Sequence, residues 1–284
     1  MATPPSITPG GTTGWNITTF RKKIAPATYQ EMVFIPMIED YGMKLGTTGT
    51  IRKAQRMVTT VLGQSAEGNG LTPAALVDTA ATLSAAGNYV MVEWSENEKA
   101  QMDLAINTLA SGEVERAIGE GSDTIALVSV ASGTQNMSQA GVDMTGLNQA
   151  LGRLGMNTNG EAAPGKAQIY AIFSFTQLPN LQAIPQYNSA EMRGDSENPY
   201  VKGVWMRGGG VLLNLSSAVY QDVNGWHNPI FIREAFQIGW NTDRAEVESQ
   251  KFELKNKVIG FNNFGSGIAH NLRFIDFRTT ASAL

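Results

Sequence analysis

From residue 57 to residue 92 the chain carries two charged side chains, Glu67 and Asp78. Gly63, Gly68, Gly70 and Pro73 interrupt the same stretch. Connections inside compact domains are usually short, so a loop this long is out of place unless something else covers it. The stretch therefore reads as a long two-armed loop that lies on another subunit. GTTGTIRKAQR, from Gly46, forms its extended outgoing arm, and NYVMVEW, residues 88–94, its returning strand. Period-two alternation puts Val90, Val92 and Trp94 on one face of that strand, with Tyr89, Met91 and Glu93 on the other.

Composition supports a covered surface. Hydrophobic residues make up 42% of the 284 and charged residues 16%. Ordinary soluble domains carry roughly 25% charged residues. The cores of protein interfaces are depleted in charge, whereas free surfaces are not. The chain is long enough for one large domain or two modest ones. Its net charge of −4 argues against a dedicated nucleic-acid reader, which carries a basic surplus. It has no cysteine, hence no disulfide and no thiolate metal site, as is compatible with a reducing cytoplasm. No segment approaches the run of about 18 apolar residues of a membrane span. The opening residues have no early cation and no apolar run, unlike a signal peptide.

Residues 1–14 are rich in Pro, Gly and Thr and read as a flexible arm. Arg21, Lys22 and Lys23 follow, a solvated turn or a contact with nucleic acid or an acidic neighbour. Pro36 interrupts any helix across residues 28–45. Ser95 and Glu98 form an S-x-x-E capping box, which opens a helix. Met102, Ala105, Ile106 and Leu109 continue it at helical spacing, and Val114 and Ile118 extend the apolar pattern to about residue 118. Such a helix is about 35 Å long at ~1.5 Å per residue, long enough to act as a spine.

Residues 124–190 hold four charges, Asp143, Arg153, Glu161 and Lys166. Within them TGLNQALGRLGM predicts a short amphipathic helix with Leu147, Leu151 and Leu154 on one side. AQIYAIFSF, residues 167–175, predicts a central strand. GVWMR, the glycines 208–210 and VLLNL predict a hairpin. IFIREAFQIGW, QKFELKNKVIG and IAHNLRFIDF read as three successive strands, with Phe252, Leu254 and Val258 alternating against Glu253, Lys255 and Lys257.

Catalytic chemistry has little to stand on. His227 and His270 are the only histidines, far apart in sequence, which disfavours zinc. Ser266 stands between glycines four residues before His270, in what reads as a glycine-rich turn entering a strand. GEAAPGKA, residues 160–167, matches G-x-x-x-x-G-K but ends in Ala167, where a phosphate loop needs a hydroxyl for magnesium. Its context is also reversed, because it follows a helix and precedes a strand. Arg193-Gly194-Asp195 is a tripeptide that recurs by chance.

The order of these parts resembles the tailed-phage major capsid family, with the Hong Kong 97-type fold. FIPMIEDYGMKLGTTGTIRKAQR resembles its passage into the extended loop. NYVMVEWSENEKAQMDLAINTLA resembles the returning strand and spine helix. LNQALGRLGM with AQIYAIFSFTQLPNL resembles the axial core, KGVWMRGGGVLLNLSSAVY its later hairpin, and KVIGFNNFGSGIAHNLRFIDFR the final strands. The resemblance implies an α+β fold with an N-terminal arm (1–44), an extended loop (45–94), a peripheral domain with a long spine helix (95–122), an axial domain (123–225) and a return to the peripheral domain (226–284). It implies a structural protein and not an enzyme, without cofactor or metal. Hexamers and pentamers would tile an icosahedral shell around double-stranded DNA held without sequence-specific contacts, in a virion capsid assembled in the host cytoplasm.

Inter-subunit contacts would involve Arg21, Lys22, Lys23, Arg52, Lys53, Arg56, Glu67 and Asp78 on the arm and loop. Ser95 and Glu98 would cap the spine helix, and Met102, Ile106 and Leu109 would form its core. Partners would be copies of the chain, a separate scaffolding protein, a portal and decoration proteins, with no membrane. Some family members cross-link through a loop lysine. Residues 57–98 contain none, and Lys53 near the loop base is the nearby candidate, so the shell is expected to hold non-covalently. An encapsulin-like compartment with the same fold, and an enzyme with an unrecognised site, are the alternatives.

Overall fold

Apolar strands dominate the second half of the chain, and most of them form the largest of the three described sheets. The computed structural model describes residues 32–44, 48–54, 78–84, 86–95, 106–162, 166–184, 206–208, 211–250 and 255–280. The strands are β1 (Glu39–Lys44), β2 (Thr48–Ala54), β3 (Asp78–Ser84), β4 (Ala86–Ser95), β5 (Asn136–Gln139), β6 (Ile169–Ser174), β7 (Met206–Gly208), β8 (Val211–Ser216), β9 (Gln221–Asp222), β10 (Gly225–Ile232), β11 (Phe236–Gln250), β12 (Lys255–Ile268) and β13 (Phe274–Thr279). The helices are α1 (Ile106–Val128), α2 (Met144–Asn157) and α3 (Leu178–Gln182).

One sheet has four strands in the order β1-β11-β12-β4, and the other has seven, β5-β13-β10-β6-β8-β7 with β9 on β10. Among the described residues β2 and β3 pair only with each other, in register from Thr48↔Ser84 to Ala54↔Asp78.

β6 shows why the apolar run lies at the centre of its sheet. Ile169, Ala171 and Phe173 pack on one side, with Leu147, Ala150 and Leu154 of α2. Tyr170 and Ile172 pack on the other, with Ala126 and Leu127 of α1. A strand covered on both faces has no place for alternating polar residues. Asp143 caps α2 by accepting from the Gly146 N–H at 2.6 Å. β7 and β8 form the expected hairpin, with Gly208 opposite Val211. The G-x-x-x-x-G-K segment does join a helix to a strand, α2 to β6.

Two expectations need correction. The spine helix does not end near residue 118 but runs on to Val128. Its late glycines serve packing and do not end the helix. A Cβ on Gly121 would stand 2.7 Å from Asn88 Nδ2, and Gly119 lies against Met32. The closing region is four strands and not three, because IFIREAFQIGW turns a corner at Arg233–Ala235 and IAHNLRFIDF another at Asn271–Arg273. The region 226–284 consequently divides between both sheets: β10 and β13 belong to the seven-stranded one, β11 and β12 to the four-stranded one.

At these corners the two sheets share a core of aromatic rings. Phe34 meets Phe231 and Phe236 edge-on, at centroid distances of 5.5 and 5.2 Å, and Phe236 meets Phe274 at 5.0 Å. Phe34, Phe231, Phe236, Phe264 and Phe274 are all fully buried. Edge-to-face pairs add about 0.5–1.5 kcal/mol each beyond the area they bury.

Candidate functional site

Among the described residues, the four-stranded sheet is packed by a helix on one face. Val90 and Val92 of β4 and Val258 of β12 pack under Val114 and Ile118 of α1. The helix lies so close that a Cβ on Gly260 would fall 2.4 Å from Val114 Cγ1. The opposite face begins with the cross-strand pairs Tyr89↔Phe261, Met91↔Ile259 and Glu93↔Lys257. Tyr89 is 74% exposed and Met91 54%, while Lys257 Nζ lies 3.6 Å from a Glu93 carboxylate oxygen. This is an apolar strip with a charged end, of the kind that marks an interaction surface. The β2–β3 pair lies beside β12 of this sheet. Its base is held by buried Leu83, which packs where a side chain on Gly267 would stand.

A second feature fixes the chain's approach to the four-stranded sheet. The buried Asp123 carboxylate of α1 accepts from the N–H groups of Val33, Phe34 and Ile35 at 2.9–3.1 Å. Burial raises this carboxyl above its ordinary value, and the three N–H groups offset only part of that cost. Asp123 lies on the stripe Asp123, Ala126, Leu127, Val130, the i, i+3, i+4, i+7 spacing of a core-facing helix side. A carboxylate on such a stripe is the sequence signal that sequence reasoning passed over.

The residues expected to serve the interface are placed as follows. Arg52 and Lys53 sit in β2 opposite Ala80 and Thr79, and Asp78 opens β3 opposite Ala54. Ser95 ends β4 opposite Lys255. Ile106 is the first residue of α1 and Leu109 lies in its first turn. Arg21, Lys22, Lys23, Arg56, Glu67, Glu98 and Met102 lie outside the described residues. The hairpin thus brings Arg52, Lys53 and Asp78 together on neighbouring positions. The strand face bearing Tyr89 and Met91 is legible from alternation, but its partners Ile259 and Phe261 are not.

The histidines do not converge. His227 is buried in β10 between Asp222 and Asp276, whereas His270 precedes the turn at Asn271–Arg273. Ser266 lies within β12 opposite Ile238, so the glycine-rich turn expected there is strand. Among the described residues no group of three or more His, Asp or Glu is placed to hold a metal ion.

No protein-family model and no curated protein matches the chain. Solved structures do. Mycobacterium phage Che8 matches with a TM-score of 0.74 and 12% identity, over 93% of this chain and 97% of that one. The capsid of Helicobacter pylori bacteriophage KHP30 matches at 0.72 and 8%, over 93% and 95%. The capsid of cyanophage P-SCSP1u matches at 0.69 and 13%, over 93% of both. At such identities only architecture is shared, but it is shared from end to end: this chain has the α+β, Hong Kong 97-type fold of tailed-phage capsid proteins.

Proposed function

We propose that the chain is a major capsid protein, which assembles as hexamers and pentamers into an icosahedral shell around double-stranded DNA. The observation that carries this reading is the match to tailed-phage capsid structures over 93% of this chain and 93–97% of theirs. A capsid protein needs little beyond its own fold, because its surfaces are its function. The strip of exposed Tyr89 and Met91 beside half-buried Ile259 and Phe261 supports the reading, since a second copy would cover it. So does the hairpin of β2 and β3, which pairs with no other described strand.

In this reading residues 1–44 are an arm and 45–94 the extended loop that lies on a neighbour. The four-stranded sheet with α1 is the peripheral domain, and the seven-stranded sheet is the axial one. The net charge of −4 suits a shell that confines DNA without gripping its phosphates. The role is structural and not enzymatic, in a virion capsid assembled in the host cytoplasm. A separate scaffolding protein, a portal and decoration proteins would be its partners.

Velocity sedimentation of the purified protein beside Met91→Glu tests the reading. Wild type is expected to sediment as large assemblies. Met91→Glu places a charge on the strip and is expected to sediment as subunits or capsomers with unchanged circular dichroism. Assemblies of equal size from both proteins would remove the strip from the account.

A further inference from the structure

A charged cluster is sealed at the start of β10, in the seven-stranded sheet. His227 is 1% exposed and Asp276 0%. His227 Nδ1 lies 2.9 Å from Asp276 Oδ2, and Nε2 lies 3.0 Å from Asp222 Oδ1. Nε2 makes no hydrogen bond of good geometry, so the second contact is ionic only when the ring carries its second proton. Arg278 Nε donates to the same Asp276 Oδ2 at 2.7 Å. The groups facing the imidazole are therefore Asp222 of β9, Asp276 and Arg278 of β13, and the Tyr220 ring at 5.4 Å. β6, on the other side of β10, carries no charged residue.

A neutral imidazole has one N–H and one lone pair. Either tautomer would set that lone pair about 3 Å from a carboxylate oxygen. Only the doubly protonated ring is attracted on both sides. With the proton in place, Asp222 and Asp276 are balanced by Arg278 and the imidazolium. Without it, a net negative charge stays around Asp276, whose Oδ1 already lacks a hydrogen-bond partner.

We propose that His227 is a proton-dependent lock, which ties the turn between β9 and β10 to strand β13. The turn is built to be held. Asp222 Oδ1 accepts from the Asn224 N–H at 2.7 Å, and its Oδ2 from Asn224 Nδ2 at 2.9 Å. Gly225 has φ 115°, and a Cβ there would meet the Thr279 carbonyl oxygen at 2.1 Å. Desolvation opposes ionisation of Asp222, but the bonds from Asn224 and the nearby imidazole outweigh it and lower its carboxyl to about 2. Asp222 is thus an anion wherever the ring titrates. At the tip stands Val223, fully exposed, so the lock sets how rigidly an apolar knob is presented. The sign follows from the charges: the lock is closed while the ring holds its second proton, and it opens when rising pH removes that proton.

Hydrogen exchange read by mass spectrometry across a pH series, corrected for intrinsic exchange rates, tests the lock in the full chain. Protection of residues 221–227 is expected to fall about tenfold across the transition, as one proton's linkage allows, while β6 keeps its protection. His270→Gln is expected to leave this profile unchanged, and His227→Gln to abolish it. Should His227→Gln not fold, Asp222→Asn decides. It removes the partly exposed carboxylate, so the transition is expected to move to lower pH. A flat wild-type profile, or an unmoved transition in Asp222→Asn, would overturn the proposal. The readout does not depend on shell formation.

Discussion

Two glycines of the same helix-sheet layer make opposite demands. Gly260 of β12 lets α1 come down onto the sheet, with Val114 Cγ1 2.4 Å from where its Cβ would be. Val114 is stiff in a helix, so the clash cannot be relieved by a free rotation. Gly260→Ala is expected to cost about 1–3 kcal/mol, the usual range for overpacking. Gly112 of α1 has no atom within 4 Å of its missing Cβ. Gly112→Ala is expected to stabilise by about 0.5–1 kcal/mol, because it removes unfolded-state entropy from a helix interior. Urea midpoints of the two variants should move in opposite directions.

Asp123 supplies the pH term at this scale. Burial raises its carboxyl above 3.8, so the native chain holds a proton there more readily than the unfolded chain. A raised carboxyl contributes stability that is greatest in acid and is lost as pH climbs from 3.8 through the raised value. Asp123→Asn removes this titration and leaves other carboxylates in place. The difference in unfolding free energy, wild type minus variant, is expected to shrink as pH rises through that window. A difference that grows with pH contradicts the sign.

Among the elements, the corner strands matter most. β10 leads into β11, and β12 into β13, at adjoining turns, so both sheets end on the same aromatic core. Phe274 fills the space beside Gly133, where a Cβ would overlap its ring. Phe274→Ala is expected to cost about 3–5 kcal/mol. Because the core is shared, the loss should shift one cooperative denaturant transition. Two separate transitions in the variant would mean that the sheets do not depend on each other through this joint.

The elements that were legible have one local period throughout. The β4 alternation, α2, the β6 run and the β7–β8 hairpin all follow from it, because each rests on a local pattern of apolar residues or turn glycines. The closing strands were not legible as four. Phe231 and Phe236 are both buried, on either side of a corner, and continuous burial hides the change of sheet. The spine's end was misjudged because Gly119 and Gly121 weaken the helical pattern for the sake of contacts with Met32 and Asn88, which only the fold reveals. The site was half legible: Tyr89 and Met91 follow from alternation, whereas Asp123 and the His227 cluster depend on residues 49 or more positions away.

For the molecule as a whole, low charge, a hairpin paired with no other described strand and an exposed strip on one sheet face all fit the proposed reading, in which copies of the chain cover its surface. The match to capsid structures over 93% or more of this chain joins that condition to a known architecture. Electron microscopy of the purified protein tests it most directly. Closed shells with five- and six-fold clusters are the predicted result; a stable, small monomer under all assembly conditions would contradict the account.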